Sequence, residues 1–169
     1  MKVILFDIDT LRADHMGCYG YGRDTTPVMD GIAKDGVCFD RYYCPNAPCL
    51  PSRASMVTGL YGIHNGIVGH GGTAADLRLQ GESRSFTDLV SENGLFMQFK
   101  RAGLHTVSFS SFAERHSAWW FLSGLDEYYN PGLRGGESAD MVTPAVLNWL
   151  ERNREMEDWF LRSEERRVG

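Results

Sequence analysis

The segment Cys44–Gly72, CPNAPCLPSRASMVTGLYGIHNGIVGHGG, is the most informative part of the chain. Its first eight residues contain three prolines, and each proline fixes φ and disfavours the helical region for the residue before it. From Ser52 onward helix-forming residues predominate, and Gly59 is typical of a helix end. The pattern predicts an extended approach that leads into a short helix.

Cys49 and Arg53 lie at the predicted junction of this approach and the helix. The free N–H groups and the positive end of the helix dipole would face Cys49. Arg53, one turn further on, adds a planar group that is permanently charged. The two residues therefore predict an anion-binding site with a cysteine at its centre. A structural cysteine in a proline-rich loop is the alternative interpretation.

The same segment resembles the signature of type I sulfatases, C-x-P-S-R-x-x-x-x-T-G, with every fixed position present from Cys49 to Gly59. The similarity continues through VILFDIDTLRADHMGCYGYGRDTTPVMDGIAKDGVCFDRYYC before the signature and GLYGIHNG after it. A pattern of this length is far more specific than a short motif. The resemblance implies the amino-terminal part of a formylglycine-dependent sulfatase, a family of the alkaline phosphatase superfamily.

This resemblance implies a specific chemistry for the cysteine. Cys49 would be oxidised to formylglycine by a maturation enzyme that recognises Pro51 and Arg53, and the hydrated aldehyde would be the nucleophile. Arg53 would orient the diol. A divalent metal, expected to be Ca²⁺ with Mg²⁺ or Mn²⁺ as alternatives, would assist the reaction. The implied activity is that of a sulfuric ester hydrolase.

Two aspartates follow the apolar run that begins at Val3. The run predicts a strand buried on both faces of a parallel sheet, and strand alternation places Asp7 and Asp9 on one side. Carboxylates at the carboxyl end of such a strand suit calcium or magnesium. By resemblance, Asp9 matches the first residue of the sulfatase Asp-Asp metal pair, and Thr10 replaces the second. We expect Asp9 to be a metal ligand and Asp7 to compensate for the lost partner, with Thr10 as a weaker oxygen donor.

The remaining elements predict an α/β fold with a parallel-rich central sheet flanked by helices. A helix between two strands joined by short turns forms a β-α-β unit, which implies parallel strands. The predicted elements beyond the first strand and the signature helix are a strand at Val37–Phe39, a helix at Phe86–Ala102 broken at Asn93 and Gly94, a strand at Thr106–Phe109, and a helix at Ser138–Asn153 with Val142, Val146, Leu147 and Leu150 inward.

The substrate side of the predicted site departs from the family pattern. Many sulfatases carry Lys-x-His after the strand that ends at Phe109, whereas the corresponding positions here are Ser111 and Ala113. Arg115 and His116 follow, and a shifted loop would bring them to the sulfate and the leaving group. His70, in a glycine-rich loop, is a further candidate for substrate binding.

The last eight residues, RSEERRVG, are unusual for a sheet protein. The preceding Trp159–Leu161 begins what should be a central strand, yet a charged run follows at once. One coding of this octapeptide, AGATCGGAAGAGCGTCGTGTAGGG, matches a common sequencing-library adapter. We therefore expect residues 1–161 to be an incomplete amino-terminal part of a sulfatase catalytic domain and residues 162–169 to be a non-native tail.

The composition of the chain argues against several classes of binding partner. The net charge of −5 and the absence of a basic cluster argue against nucleic acid, and no apolar run approaches the length of a membrane span. The four cysteines contain no C-x-x-C pair or zinc-ligand spacing. The chain meets Asp7 too early for a secretory signal, so a cytoplasmic location is expected.

Alternative activities remain open at this point. A phosphonate monoester or phosphodiester hydrolase of the same superfamily could share the aldehyde, the metal and the arginine. A cysteine phosphatase is disfavoured, because its loop needs more than the three residues that separate Cys49 from Arg53. A catalytically silent binding paralogue is the third alternative. The expected substrate is a sulfated or phosphonate small molecule or glycan, and the fragment alone is expected to be inactive.

Overall fold

The structure is a computed structural model that describes residues 1–81, 89–132 and 134–166, with the side chains of Leu89, Ser91, Glu165 and Arg166 left out. It divides into two compact units. The larger combines Met1–Asp9 with Cys44–Gly169, and the smaller is Thr10–Tyr43. No helix among the described residues is both long enough and apolar enough to cross a bilayer.

The larger unit is built on a sheet of four strands, all paired in parallel. The strands are β1 (Lys2–Asp9), β2 (His105–Phe109), β3 (Glu127–Tyr129) and β4 (Trp159–Arg166), in the order β1-β4-β2-β3. This arrangement confirms the predicted α/β fold with a parallel sheet.

The described residues form α-helices in both units. In chain order they are α1 (Pro27–Asp35, in the smaller unit), α2 (Cys49–Thr58), α3 (Gly62–Asn65), α4 (Leu89–Asn93), α5 (Leu95–Arg101), α6 (Phe112–Arg115) and α7 (Ala139–Arg152). The predicted break at Gly94 separates α4 from α5, whereas residues 86–88 of the predicted helix lie outside the described ranges.

Two apolar clusters lie on opposite faces of the central strand β4. Phe160 packs with residues of α2 and α5, while its neighbours Trp159 and Leu161 pack with α7. Successive side chains of a strand alternate between faces, so this division follows from the period of two. The prediction that Leu147 of α7 faces inward was wrong, because Leu147 is 59% exposed. Trp149 is buried instead.

The first strand differs from the prediction in its burial. We expected a strand covered on both faces, but Ile4 and Phe6 are 44% and 55% exposed. Their exposure follows from the position of β1 at the edge of the described sheet, where one face lacks a covering helix. The carboxyl end of β1 nevertheless lies beside that of β4, with Asp7 opposite Glu164.

The charged run after Leu161 also differs from the prediction. Instead of leaving the sheet, the chain continues β4 to Arg166 in register with β1. Arg162 and Glu164 are buried and bond to each other through Arg162 Nη2 and Glu164 Oε2 at 3.0 Å. The prediction that the charged run leaves the sheet was wrong, because pairing of opposite charges allows these side chains to be buried. The proposed adapter origin of this segment is a separate matter and stays a prediction.

The smaller unit is organised around Asp30. Its carboxylate accepts hydrogen bonds from the Cys18 backbone N–H at 2.8 Å and from Thr26 Oγ1 at 3.0 Å. These contacts join α1 to the turn Gly17–Tyr19. The strand predicted at Val37–Phe39 is absent, since these described residues have no strand pairing.

Candidate functional site

The helix that carries the signature begins at Cys49, three residues earlier than the change in composition indicated. Pro51 fits there because the first-turn N–H groups of a helix have no intrahelical partner to lose. Gly59 ends the helix with a φ of 70°, a left-handed conformation that suits glycine. Cys49 is thus the first residue of α2, at the end where free N–H groups collect.

The Cys49 thiol lies between two histidines. Its Sγ is 3.2 Å from His70 Nε2 and 3.9 Å from His116 Nε2. Burial raises the pKa of the Cys49 thiol, and the Asp9 carboxylate adds to this rise, while Arg53 and Arg115 oppose it. An unmodified Cys49 is therefore held as the neutral thiol, which is the weakly nucleophilic form.

Arg53, one turn after Cys49 in α2, is buried, with its side chain 5% exposed. Its Nε and Nη2 donate to the two carboxylate oxygens of Asp7 at 2.7 and 2.9 Å, a bidentate pair. Its Nη2 also lies 3.1 Å from Glu164 Oε1, and its guanidinium lies 5.0 Å from the centre of the Phe112 ring. These contacts fix the group in one orientation.

One atom of Arg53 remains without a hydrogen-bond partner among the described residues. Its buried Nη1 is 3.8 Å from Asp9 Oδ2, beyond hydrogen-bond distance. A buried donor without a partner lowers the free energy of unfolding, and such donors commonly bind a ligand or a water molecule. Arg53 therefore retains one N–H group that could donate to an anion.

The two aspartates of β1 lie on the same side, as strand alternation predicts, but their partners differ. Asp7 accepts from both Arg53 and Arg162. Burial alone would raise the pKa of Asp7, yet the guanidinium groups of Arg162 and Arg53 outweigh it and hold this pKa below its usual value. Asp9 has no hydrogen-bonded side chain among the described residues, and its nearest cations are Arg53 at 3.8 Å and Arg115 at 3.9 Å.

The short helix α6 brings Arg115 and His116 toward the cysteine. Arg115 Nη2 lies 3.0 Å from Glu164 Oε1, and Arg115 Nε donates to His116 Nε2 at 3.0 Å. Burial, followed by the charge of Arg115, lowers the pKa of His116 to about 4. Ser111 and Ala113, at the positions aligned with Lys-x-His, are both buried.

His70 reaches the site from the exposed loop after α3. Its Nε2 accepts a hydrogen bond from the Leu50 backbone N–H at 3.2 Å, which holds the ring over the first turn of α2. The rings of His70 and His116 have centroids 5.0 Å apart.

Seven of the residues predicted to act in catalysis, metal binding or substrate binding lie together in the larger unit: Asp7, Asp9, Cys49, Arg53, His70, Arg115 and His116. Pro51, predicted for maturation, is buried in the same helix. Thr10 belongs to the smaller unit.

Sequence reasoning missed three neighbours of the site. Arg162 and Glu164 were assigned to the tail, although their alternation matches that of a strand continued past Leu161. Phe112 was not singled out, yet its ring contacts the guanidinium groups of both Arg53 and Arg115 at 5.0 and 5.5 Å. No local pattern marks this phenylalanine, because its contact with Arg53 joins two segments that are distant in the sequence.

The low pKa of His116 predicts a pH-dependent loss of stability. Below the ordinary value of 6.5, the unfolded chain binds a proton on this imidazole, whereas the native ring stays neutral until about pH 4. Proton binding to the unfolded state lowers the free energy of unfolding, so stability should fall as the pH decreases through this window. Urea unfolding at several pH values would measure the fall.

The matched variants for this prediction are His116→Gln and His64→Gln. His64 is exposed, and its replacement should leave the pH profile unchanged. His116→Gln should flatten the profile between pH 6.5 and pH 4. An identical slope for His116→Gln and the parent protein would show that this imidazole does not titrate as stated.

Comparison with known proteins identifies the family of the chain. A sequence model of the family described as Sulfatase matches residues 2–162. The chain is 30% identical over 161 residues to N-acetylglucosamine-6-O-sulfatase of Bacteroides thetaiotaomicron, and the match covers 89% of this chain but only 27% of that protein. The chain thus spans about a quarter of the length of this relative.

Two solved structures share the fold. One is a protein in complex with its substrate D-glucosamine-2-N,6-O-disulfate, with a TM-score of 0.64 at 24% identity over 97% of this chain and 33% of that one. The other is the phosphonate monoester hydrolase of Agrobacterium radiobacter, with a TM-score of 0.61 at 19% identity over 98% of this chain and 40% of that one. The sheet is therefore part of a sulfatase/alkaline phosphatase fold, and the chain belongs to the Sulfatase family.

Proposed function

We propose that the full-length protein hydrolyses sulfate esters with a formylglycine nucleophile made from Cys49. The observation that carries this proposal is the position of Cys49 at the start of α2, one turn before an arginine with a free buried N–H group.

The converted residue would supply two hydroxyl groups to one reaction cycle. One hydroxyl of the aldehyde hydrate bonds to sulfur as the alcohol leaves, and the second loses its proton as sulfate departs and the aldehyde returns. Hydration of the aldehyde then consumes one water. A difficult displacement is thereby divided into two easier steps.

The residues around position 49 would bind the anion and move protons. Arg53 Nη1 would donate to an oxygen of the diol or the sulfate, since it has no partner among the described side chains. His70 Nε2 and His116 Nε2 lie 3.2 and 3.9 Å from Cys49 Sγ, and either ring would have to exchange its present N–H donor for a hydroxyl at position 49 before taking a proton from it. Arg115 would offset negative charge on the departing groups.

A divalent metal, proposed to be Ca²⁺ with Mg²⁺ or Mn²⁺ as alternatives, fits Asp9 better than Asp7. Asp9 is partly buried and free of hydrogen bonds from described side chains, whereas both oxygens of Asp7 are occupied by guanidinium groups. A hard cation takes oxygen ligands of this kind. When bound, it would polarise a sulfate oxygen and favour ionisation of the attacking hydroxyl.

The burial of the signature would limit access of the maturation enzyme to the folded protein. Pro51 and Arg53 are buried in α2, although both are proposed recognition residues for the formylglycine-generating enzyme. The enzyme would therefore have to bind this segment before the fold closes around it.

Sulfated glycans are the substrate class we propose, because a relative that matches most of this chain is an N-acetylglucosamine-6-O-sulfatase. Phosphonate monoesters or phosphodiesters are the second candidates, supported by the fold shared with a phosphonate monoester hydrolase. A silent binding paralogue is the third, supported by the replacement of Lys-x-His. We also propose that residues 1–169 alone are inactive, since they correspond to about 27% of that relative.

Turnover by the full-length, matured protein separates these candidates. We expect kcat/KM for an aryl sulfate to exceed that for an aryl phosphodiester by more than about tenfold. The reason is that the proposed site would stabilise the transition state of sulfate-ester hydrolysis better than that of phosphodiester hydrolysis. The reverse order would favour the phosphodiesterase, and no turnover of either ester would favour the silent paralogue.

We further propose that residues 162–169 derive from a sequencing adapter. The coding match supports this origin, and so does the end of the family match at residue 162. Resequencing of the locus should give a different sequence after Leu161. An uninterrupted reading frame through RSEERRVG in genomic DNA would contradict the proposal.

A further inference from the structure

We propose that the unconverted protein binds a zinc ion between Cys49, His70 and His116. Their ligand atoms, Sγ and the two Nε2 atoms, all lie within 4.8 Å of one another. Thiolate and imidazole are the ligands that Zn²⁺ prefers, and three protein ligands leave a fourth position for water. This site depends on the side chains themselves and does not require sulfatase activity.

The distances are close to those that a zinc ion imposes. With Zn–S near 2.3 Å and Zn–N near 2.0–2.1 Å, the ligand atoms of a tetrahedral site lie roughly 3.3–3.6 Å apart. The observed Sγ–Nε2 distances are 3.2 Å to His70 and 3.9 Å to His116. The two Nε2 atoms lie within 4.8 Å of each other, so zinc binding would draw the two imidazoles closer together.

Both imidazoles present the form that binds a metal. His70 Nε2 accepts from the Leu50 N–H, and His116 Nε2 accepts from Arg115 Nε–H. An accepting Nε2 carries a lone pair, so each neutral ring has its proton on Nδ1. Zinc would take the place of these two N–H donors, and His70 is exposed, which leaves a path of entry from solvent.

The surrounding charges allow a cation despite two nearby arginines. Arg53 and Arg115 are matched by the carboxylates of Asp7 and Asp9, which lie outside the proposed adapter segment. Zinc binding releases the thiol proton of Cys49 to solvent, so the ion and the thiolate together add a single positive charge.

The proposed zinc ligands differ from the proposed ligand of the hard cation. Sulfur and nitrogen select zinc over calcium, whereas Asp9 offers only oxygen. Conversion of Cys49 to formylglycine removes the sulfur atom from this set. Zinc binding and maturation should therefore exclude each other at position 49.

The test uses the full-length protein produced without a formylglycine-generating enzyme. Zinc affinity is measured by competition with a chromophoric chelator, and Co²⁺ substitution reports a thiolate ligand through its charge-transfer absorption. We expect one zinc ion per chain at this site, a weakening of more than about tenfold in each of Cys49→Ser, His70→Gln and His116→Gln, and no charge-transfer band in Cys49→Ser. The formylglycine form should also lack this band.

Cys38→Ser and His64→Gln are the matched controls, because both residues are exposed and lie outside the cluster. Both should bind zinc as the parent does. If the cluster variants fail to fold by circular dichroism, protection of Cys49 from iodoacetamide by zinc in the parent protein provides the second measurement. An unchanged affinity in folded Cys49→Ser, or no protection of Cys49, would overturn the proposal.

Discussion

Replacing Cys49 with alanine is expected to lower kcat for aryl sulfate hydrolysis by roughly 10⁴-fold or more in the full-length, matured protein. The reason is that alanine can form neither the aldehyde nor its hydrate, so the covalent route is lost. The remaining groups, Arg53 among them, would still bind the anion. KM should therefore change far less than kcat, which steady-state kinetics would show.

Cys38→Ala is the control for this substitution. Cys38 is an exposed free thiol in the smaller unit, and its loss should leave kcat unchanged. A Cys49→Ala protein that retains activity within tenfold of the parent would show that position 49 does not supply the nucleophile.

Replacing Arg53 with alanine is expected to lower the free energy of unfolding by about 3–5 kcal/mol, the usual cost of removing one partner from a buried ion pair. The Arg53 side chain is 5% exposed, and its bidentate partner Asp7 is 16% exposed. Without the guanidinium, the carboxylate of Asp7 would lose its bidentate counter-charge. Urea unfolding followed by circular dichroism measures the loss.

Two further variants define what Arg53 contributes. Arg53→Lys keeps a charge but loses the planar fork that donates to both oxygens of Asp7, so it should recover only part of the stability. Arg154→Ala removes exposed pairs with Glu151 and Glu155 and should have no measurable effect. Equal stability of Arg53→Ala and Arg154→Ala would contradict the ion-pair account.

Features with a strong local signal could be predicted from the sequence. The sheet is parallel because strands and helices alternate along the chain, and the break at Gly94 follows from the low helix propensity of Asn93 and Gly94. The sequence also predicts that Asp7 and Asp9 share one side of β1, whereas the pairing of Asp7 with Arg53 is a long-range contact that was not predicted.

Features that depend on distant pairing could not be predicted. The exposure of Ile4 results from the strand order, which puts β1 at an edge, and no periodicity within β1 encodes that order. Burial of Glu164 likewise depends on guanidinium groups from other segments. The approach of His116 to Cys49 depends on the short helix α6, and the number of residues between Phe109 and His116 does not reveal that this helix forms.

The most direct test of the account is the intact mass of the full-length protein after co-expression with a formylglycine-generating enzyme, with the change localised by peptide mapping. We predict that the peptide containing position 49 shows the mass change for exchange of CH₂–SH for CHO, and that the parent converts while Cys49→Ala does not. An unmodified thiol at position 49 in an active, fully folded protein would contradict the central claim.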